Sequence, residues 1–400
     1  MKLLIVSQYY DPEQFQINDI APELVRRGHE VTVLTGLPNY PAGVVPAQYR
    51  HGQRREETVN GVRILRTYER GRGKGAVNLL MNYVSFALSA SRKARKLPRF
   101  DAVLCYQLSP VSIAAPAIAY KKKNHVPVLL YCLDIWPESA KAHLPGGFLF
   151  GLIGKYSKKL YSQCDRIAVT SRPFLDYLTE VNGIPAERMC YIPQHADGAM
   201  LNTDLTAPDN GIVDFMYAGN LGQGQTLDVI VRAAAELKDR EGFLVHMVGD
   251  GSARESLQAL ANELGVGEKI RFHGNQKRGD MPAFYKMADA LLITLRGNNA
   301  VGNTMPGKLQ MYMTAGKPVL GAINGAANEV IRESACGNCV GAGDYKGLAS
   351  LMADLMDHPE KYAGCGEKAK AYFEENFTLE KFSDALEAEL ANLTAERTQL

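Results

Sequence analysis

The 400-residue chain has one tryptophan, seven cysteines in no paired framework and no apolar run long enough to cross a bilayer. Each shortage excludes something. An odd cysteine count without regular spacing excludes a disulfide-stapled secreted fold and points to a reducing, cytoplasmic compartment. Cys336-Gly-Asn-Cys339 has CxxC spacing, but no second pair or nearby His completes a zinc site, so inert or buried thiols are expected. The longest apolar stretches, 77–90 and 111–120, are broken by Asn78, Asn82 and Ser85 or by Pro116, and no membrane span is expected. Leu3–Val6 follow a single Lys and stop at Ser7 and Gln8, too short for a signal-peptide core; they read as a strand. No GxGxxG follows that strand, which argues against a dinucleotide site there, and no DxD metal motif occurs.

What is present is the composition of a globular enzyme, 46% hydrophobic and 22% charged, with 37 glycines for tight turns. The length suits two domains of roughly 200 residues each. The net charge of +2 conceals an asymmetry: residues 1–200 carry 26 Lys and Arg against 16 Asp and Glu, residues 201–400 carry 19 against 27. A basic half suits an anionic lipid surface or a phosphate-bearing acceptor, against the plainer reading of a solvated basic face. No nucleic-acid partner is expected.

In the first half the pattern alternates strand and helix. A strand over 3–7, a helix over 17–27 and a strand over 31–35 form a βαβ unit that opens a doubly wound sheet. Ligands of such sheets sit at the carboxyl ends of the strands, which places the loops 8–18 and 36–43 on the functional edge. Tyr9, Tyr10, Glu13, Asn18, Asn39 and Tyr40 there suit a polar, ring-shaped substrate, although Asn, Asp and Pro also serve turns. A strand over 62–67, a basic loop with Arg70, Arg72 and Lys74, and a long amphipathic helix from about Val77 follow, the helix closing on Arg92, Lys93, Arg95 and Lys96. Those cations complement a helix C-terminus; with Lys121–Lys123 they also suit an anionic membrane surface. Further strands are expected over 102–106, 126–132, 166–170 and 189–192, with Ser171 capping a helix. The second of these strands, 126–132, runs into Leu133-Asp134-Ile135-Trp136-Pro137-Glu138-Ser139, two carboxylates and the sole Trp in a sugar-contacting set. His195 lies in the following PQHADG segment.

In the second half 204–210 reads as a linker. Strands over 213–218, 243–248, 270–273 and 290–294 end respectively in Gly219-Asn220-Leu221-Gly222-Gln223-Gly224-Gln225, Gly249-Asp250-Gly251, Gly274-Asn275-Gln276-Lys277-Arg278 and Arg296-Gly297. Three glycines between a strand and a helix near Thr226 let a diphosphate approach the backbone. The stretch Gly302–Gly321 is a loop becoming a helix and then a strand, with Asn303, Thr304, Met305, Pro306 and Gly307 ahead of Lys308 and Leu309. Unpaired N–H groups and a fixed cation at one helix start attract phosphate.

These segments together (QYYDPE with Asn18, LTGLPNYPAG, LDIWPES, YIPQHADG, YAGNLGQGQTLD, VGDG and PGKLQMYMTAGKPV) resemble retaining GT-B glycosyltransferases of family 4, over essentially the whole chain. The branch that builds bacterial capsule, O-antigen and exopolysaccharide units is the nearest in pattern. The resemblance implies an α/β GT-B fold, two Rossmann-like domains (1–200 and 201–378) facing each other across a cleft, and a last helix from Leu379 crossing back. It implies a nucleotide-sugar donor, UDP-linked by family habit, a lipid-linked or oligosaccharide acceptor, and no metal or other cofactor. Carried onto this chain, Asp134, Glu138 and Lys308 become the catalytic candidates. Gly219, Asn220, Leu221, Gly222, Gln225, Gly249, Asp250, Gln276, Lys277, Arg278, Arg296 and 303–309 become the donor-side set, and Tyr9, Tyr10, Glu13, Asn18, Asn39, Tyr40 and His195 the acceptor-side set. Two departures stand out. Where the family commonly has two Glu residues, Asn303 and Met311 stand here; where it has Arg and Lys in the diphosphate loop, Asn220 and Gln225 stand. An inactive GT-B partner protein, or an epimerase or phosphorylase, is the alternative reading.

Overall fold

The computed structural model describes residues 1–139, 147–297 and 305–398. The chain forms two α/β units, one of Met1–Gln194 together with the residues from Leu379 onward, the other of His195–Thr378. The break thus falls a few residues before the 200/201 boundary drawn from sequence, and 204–210 lies inside the second unit.

Among the described residues of the first unit eight strands run β1 (Lys2–Val6), β2 (Glu30–Thr35), β3 (Glu56–Val59), β4 (Val62–Arg66), β5 (Ala102–Gln107), β6 (Val128–Cys132), β7 (Arg166–Val169) and β8 (Met189–Tyr191). Their order in the sheet is β3-β4-β2-β1-β5-β6-β7-β8, parallel apart from the β3/β4 hairpin. The helices are α1 (Ile17–Arg26), α2 (Ala76–Ala94), α3 (Ala114–Asn124), α4 (Phe148–Tyr161) and α5 (Pro173–Glu180). β1 is buried from Leu3 on, yet its side chains part: Leu4 and Val6 enter the core under α2 and α3, Leu3 and Ile5 the core under α1. Burial on both faces is why such strands read as continuous apolar runs. β3 was not foreseen. Its signal was Asn60-Gly61, both with positive φ, the dipeptide of a two-residue hairpin turn. The residue directly ahead of α5 is Arg172 rather than Ser171, and the Ser171 carbonyl accepts the Phe174 N–H at 3.0 Å.

In the second unit the strands are β9 (Val213–Ala218), β10 (Phe243–Val248), β11 (Ile270–Gly274), β12 (Ala290–Thr294), β13 (Val319–Ala322) and β14 (Gly337–Val340), all parallel in the order β11-β10-β9-β12-β13-β14. The helices α6 (Asp228–Glu236), α7 (Arg254–Glu263), α8 (Met281–Met287), α9 (Gly307–Ala315), α10 (Gly325–Ser334), α11 (Tyr345–Asp357) and α12 (Cys365–Asn376) cover its faces. Thr226 adopts the left-handed conformation, so α6 starts two residues later than the sequence suggests.

The last helix, α13 (Leu379–Thr398), belongs to the first unit. Phe382, Leu386, Leu390 and Leu393 recur at helical spacing and bury against α1, β1 and β6, where the Phe382 ring meets Tyr131 edge-on at 5.3 Å. Arg27 pairs with both Asp384 and Glu387 at 2.7 Å. All seven cysteines are unpaired; burial pushes the Cys336 and Cys339 thiols up to about 11 and about 12, which keeps them protonated and poorly nucleophilic.

Candidate functional site

Both sheets have a topological switch point, where connections leave one strand pair in opposite directions and a crevice opens at the carboxyl ends. In the second unit it lies between β9 and β12. The loop after β9 carries Gly219–Gln225, that after β12 carries Arg296, and the Arg296 N–H bonds to the Gly224 carbonyl at 3.1 Å. The loop after β10 packs beneath, backbone on backbone. A Cβ on Gly249 would collide with the Gly219 carbonyl oxygen, and one on Gly251 would strike the Leu221 backbone. These glycines are needed for close approach.

Lys308, in the first turn of α9, reaches into this crevice. Its ammonium donates to Gln225 Oε1 at 2.8 Å and to the Tyr217 hydroxyl, and lies 3.9 Å from the centre of the Tyr217 ring. The nitrogen stands 3.2 Å from where a Gly219 Cβ would be. No carboxylate is paired with it among the described residues, and burial lowers its pKa to about 7. A cation held by neutral groups is short of an anion. Pro306 is the residue ahead of α9 and offers no side-chain cap; of the first N–H groups of the helix, that of Leu309 turns back to the Pro306 carbonyl at 2.9 Å. Tyr217 was missed by sequence reasoning, being one apolar-looking residue inside a strand. Its hydroxyl also donates to the Asn220 carbonyl at 2.9 Å, tying the loop to the lysine.

Other donor-side candidates separate. The N–H groups of Gly219 and Leu221 are already bonded to the Val248 and Asp250 carbonyls, and the Leu221 side chain is core, so neither can cradle a phosphate as expected. Leu309 faces the core as well, because α9 turns positions 309, 312 and 313 inward. Asp250 accepts from the Gly251 N–H and pairs with Arg254. Gln276 donates to the His273 carbonyl, Lys277 is exposed, and Arg278 pairs with Asp197. Asn220, Gly222 and Gly307 keep positions at the crevice loops, whereas Met305 packs against the core; Asn303 and Thr304 lie outside the described residues. Met311 packs against the core. A hollow of about 540 Å³ lies at the opposite edge of this sheet, beside Asp289 and Lys317, away from the strand carboxyl ends.

In the first unit the switch point lies at β1 and β5. Beyond their ends Asp134 Oδ1 accepts from the Ser139 hydroxyl, and burial raises the Asp134 pKa. Glu138 accepts from the Tyr177 hydroxyl at 3.0 Å, and the Trp136 indole N–H donates to Ser109 at 3.0 Å. Tyr9, Phe15 and Tyr40 form one aromatic group, Tyr9 stacked on Phe15 at 5.3 Å, with the Arg72 guanidinium over Tyr40 at 5.5 Å. Glu13 accepts the N–H of Asn39 at 2.7 Å and of Tyr40 at 2.5 Å. Asn18 donates to the Glu13 carbonyl. Tyr10 is instead core, packed with Ile17 and Ile20, and His195 is a buried residue of the second unit, because the chain has already crossed at Gln194.

The family models decide what this geometry belongs to. Residues 14–195 match the glycosyl transferase 4-like domain and 207–372 match the glycosyl transferases group 1 model. The chain is a family 4 glycosyltransferase. The putative colanic acid biosynthesis glycosyl transferase WcaI of Escherichia coli K12 is 26% identical over 338 residues, 79% of this chain and 82% of that one. A GDP-mannose-dependent phosphatidylinositol monomannoside mannosyltransferase of Mycolicibacterium smegmatis is 29% identical over 154 residues, 38% of this glycosyltransferase and 40% of that protein. Among solved structures, Anabaena Alr3699/HepE in complex with UDP superposes with a TM-score of 0.72 at 15% identity, covering 98% of this chain and 100% of that one. The glycosyltransferase therefore has the GT-B fold, its two parallel-sheet units each built as in those neighbours.

Proposed function

We propose that this glycosyltransferase moves a sugar, with retention, from a UDP-sugar to a lipid-linked glycan acceptor in bacterial surface polysaccharide assembly, working from the cytoplasmic side without a metal. The observation that carries the reading is Lys308: a buried ammonium with no counter-charge among the described residues, beside a helix start without a side-chain cap at the second unit's switch point. A nucleotide diphosphate supplies the missing negative charge. The named roles of WcaI in colanic acid biosynthesis and the UDP of the Anabaena structure support the product class and the nucleotide.

In the reaction the C1–O bond to the diphosphate breaks and a C1–O bond to the acceptor hydroxyl forms on the same face. The hydroxyl proton passes to a diphosphate oxygen. The protein positions the partners and stabilises the leaving charge. Lys308, with the first N–H groups of α9, meets the diphosphate; Arg296 and 276–278 flank the nucleotide; Asp134 and Glu138 orient sugar hydroxyls. GDP-mannose is the second donor reading, favoured by the mannosyltransferase relative.

Among the described residues no helix is long and apolar enough to cross a membrane, but two present apolar side chains to solvent. Val77, Leu80, Val84 and Leu88 line one face of α2, and Phe148, Leu152 and Tyr156 one face of α4, each helix ending in basic residues. That pattern supports peripheral docking on anionic lipid. Lys121 adds less than its sequence position promised, since it is paired with Asp165 at 2.8 Å.

A thermal-shift screen with UDP, GDP, ADP and their sugars tests the donor site. Ligand at about 100 times its dissociation constant adds about 2.7 kcal/mol of stability. A shift with UDP alone supports the reading, a shift with GDP alone replaces the donor, and none with any nucleotide removes the donor assignment and favours a non-catalytic partner role.

A further inference from the structure

Four segments of the first unit meet around two buried carboxyl groups that the proposed chemistry does not use. Glu13, in the loop after β1, holds the backbone of Asn39 and Tyr40. Glu69, after β4, is 1% exposed, and its Oε1 accepts from Gln8 Nε2 at 2.7 Å and from Asn82 Nδ2 of α2 at 2.5 Å. Asn39 Oδ1 in turn accepts from the Arg72 N–H at 3.1 Å and from Asn82 at 3.4 Å. Glu69 Oε2 has no hydrogen-bond partner among the described residues and lies against Gly36, where any Cβ would overlap it. As an anion Glu69 would have its donors on Oε1 alone, leaving the charge shared onto buried Oε2 unmet.

We propose that Glu69 is a positioning residue which, in its protonated form, clamps the loop Gly36–Gly43 and so sets the surface made by Tyr40 and Arg72 toward the acceptor. The acceptor role of that surface rests on the function proposed above; the clamp itself does not. Burial first, then the Glu13 charge, pushes Glu69 up to about 8, and burial pushes Glu13 up to about 7. The groups facing the pair are Tyr9 of the β1 loop, Tyr83 of α2, and the cations Arg72 and Arg66, none of which is hydrogen-bonded to Glu69 among the described residues. As pH rises through about 8 the proton leaves, water must enter to solvate the anion, and the packing against Gly36 opens.

Hydrogen exchange of peptides spanning 36–43 reads the clamp in the full chain, after correction for intrinsic rates, at pH 7 and pH 9. Wild type should lose at least tenfold of its protection across that range, while Glu69→Gln, which keeps Oε1 and cannot ionise, should not. Glu69→Ala should be unprotected at both values, with peptides of β9 and β10 unchanged. Equal losses in wild type and Glu69→Gln, or none in wild type, overturn the clamp. Saturation-transfer NMR with octyl β-glucoside, a minimal sugar-on-lipid probe, adds the functional arm. Binding that weakens with the loop supports the acceptor surface; a moving loop with unaltered binding, or no binding, leaves the clamp standing and overturns the acceptor role.

Discussion

If Lys308 is poised for a diphosphate, nucleotide binding must take up a proton. In the free protein the ammonium sits near pKa 7, so at pH 8 only about one molecule in ten carries the charge. A diphosphate oxygen at contact distance contributes about 4 kcal/mol per unit charge at an effective dielectric of 20, enough to raise that pKa by about three units. Binding at pH 8 should therefore absorb about 0.9 proton, and the UDP dissociation constant should rise about tenfold per pH unit from pH 7.5 to 9. That window lies above the second pKa of a terminal phosphate, about 6, so the ligand's own titration stays out of the slope. Titration calorimetry in buffers of differing ionisation enthalpy measures the uptake directly. Lys308→Met should abolish both uptake and slope and lower turnover at least 100-fold, about 3 kcal/mol of lost charge stabilisation. An unchanged slope in the variant, or a turnover loss below about threefold, would refute the reasoning.

Other expectations follow from neighbouring observations. Asp134→Asn should lower kcat by about 100-fold while nucleotide thermal shifts stay as in wild type, because Asp134 lies in the other unit; a lost nucleotide shift would contradict that division. Gly249→Ala combines a φ of +133° with a collision against the Gly219 carbonyl and should cost about 3 kcal/mol or more in denaturant unfolding; a midpoint within error of wild type would mean the loops do not pack this closely. Replacing Arg92, Lys93, Arg95 and Lys96 by Gln should weaken binding to anionic vesicles at least tenfold, at roughly 1 kcal/mol per charge near the surface. Salt-insensitive, unaltered binding would dismiss the docking surface.

The class of fold and the sheet edge that bears the candidate site loops were legible from the chain alone. β9, β10 and β12 occupy the residues expected of them, because parallel strands buried on both faces leave uninterrupted apolar runs and the glycine loops mark their carboxyl ends. Lys308 was visible because Pro and Gly announce a helix start. Tertiary structure alone decided which atoms meet. Tyr217 and Gln225 reach Lys308 across about ninety residues of chain, and Glu69 collects Gln8 and Asn82 from two other elements, contacts that leave no period in the sequence. The same packing turned Tyr10, Leu221 and Leu309 into the core, since a residue type permits contact but the facing core determines which way its side chain turns.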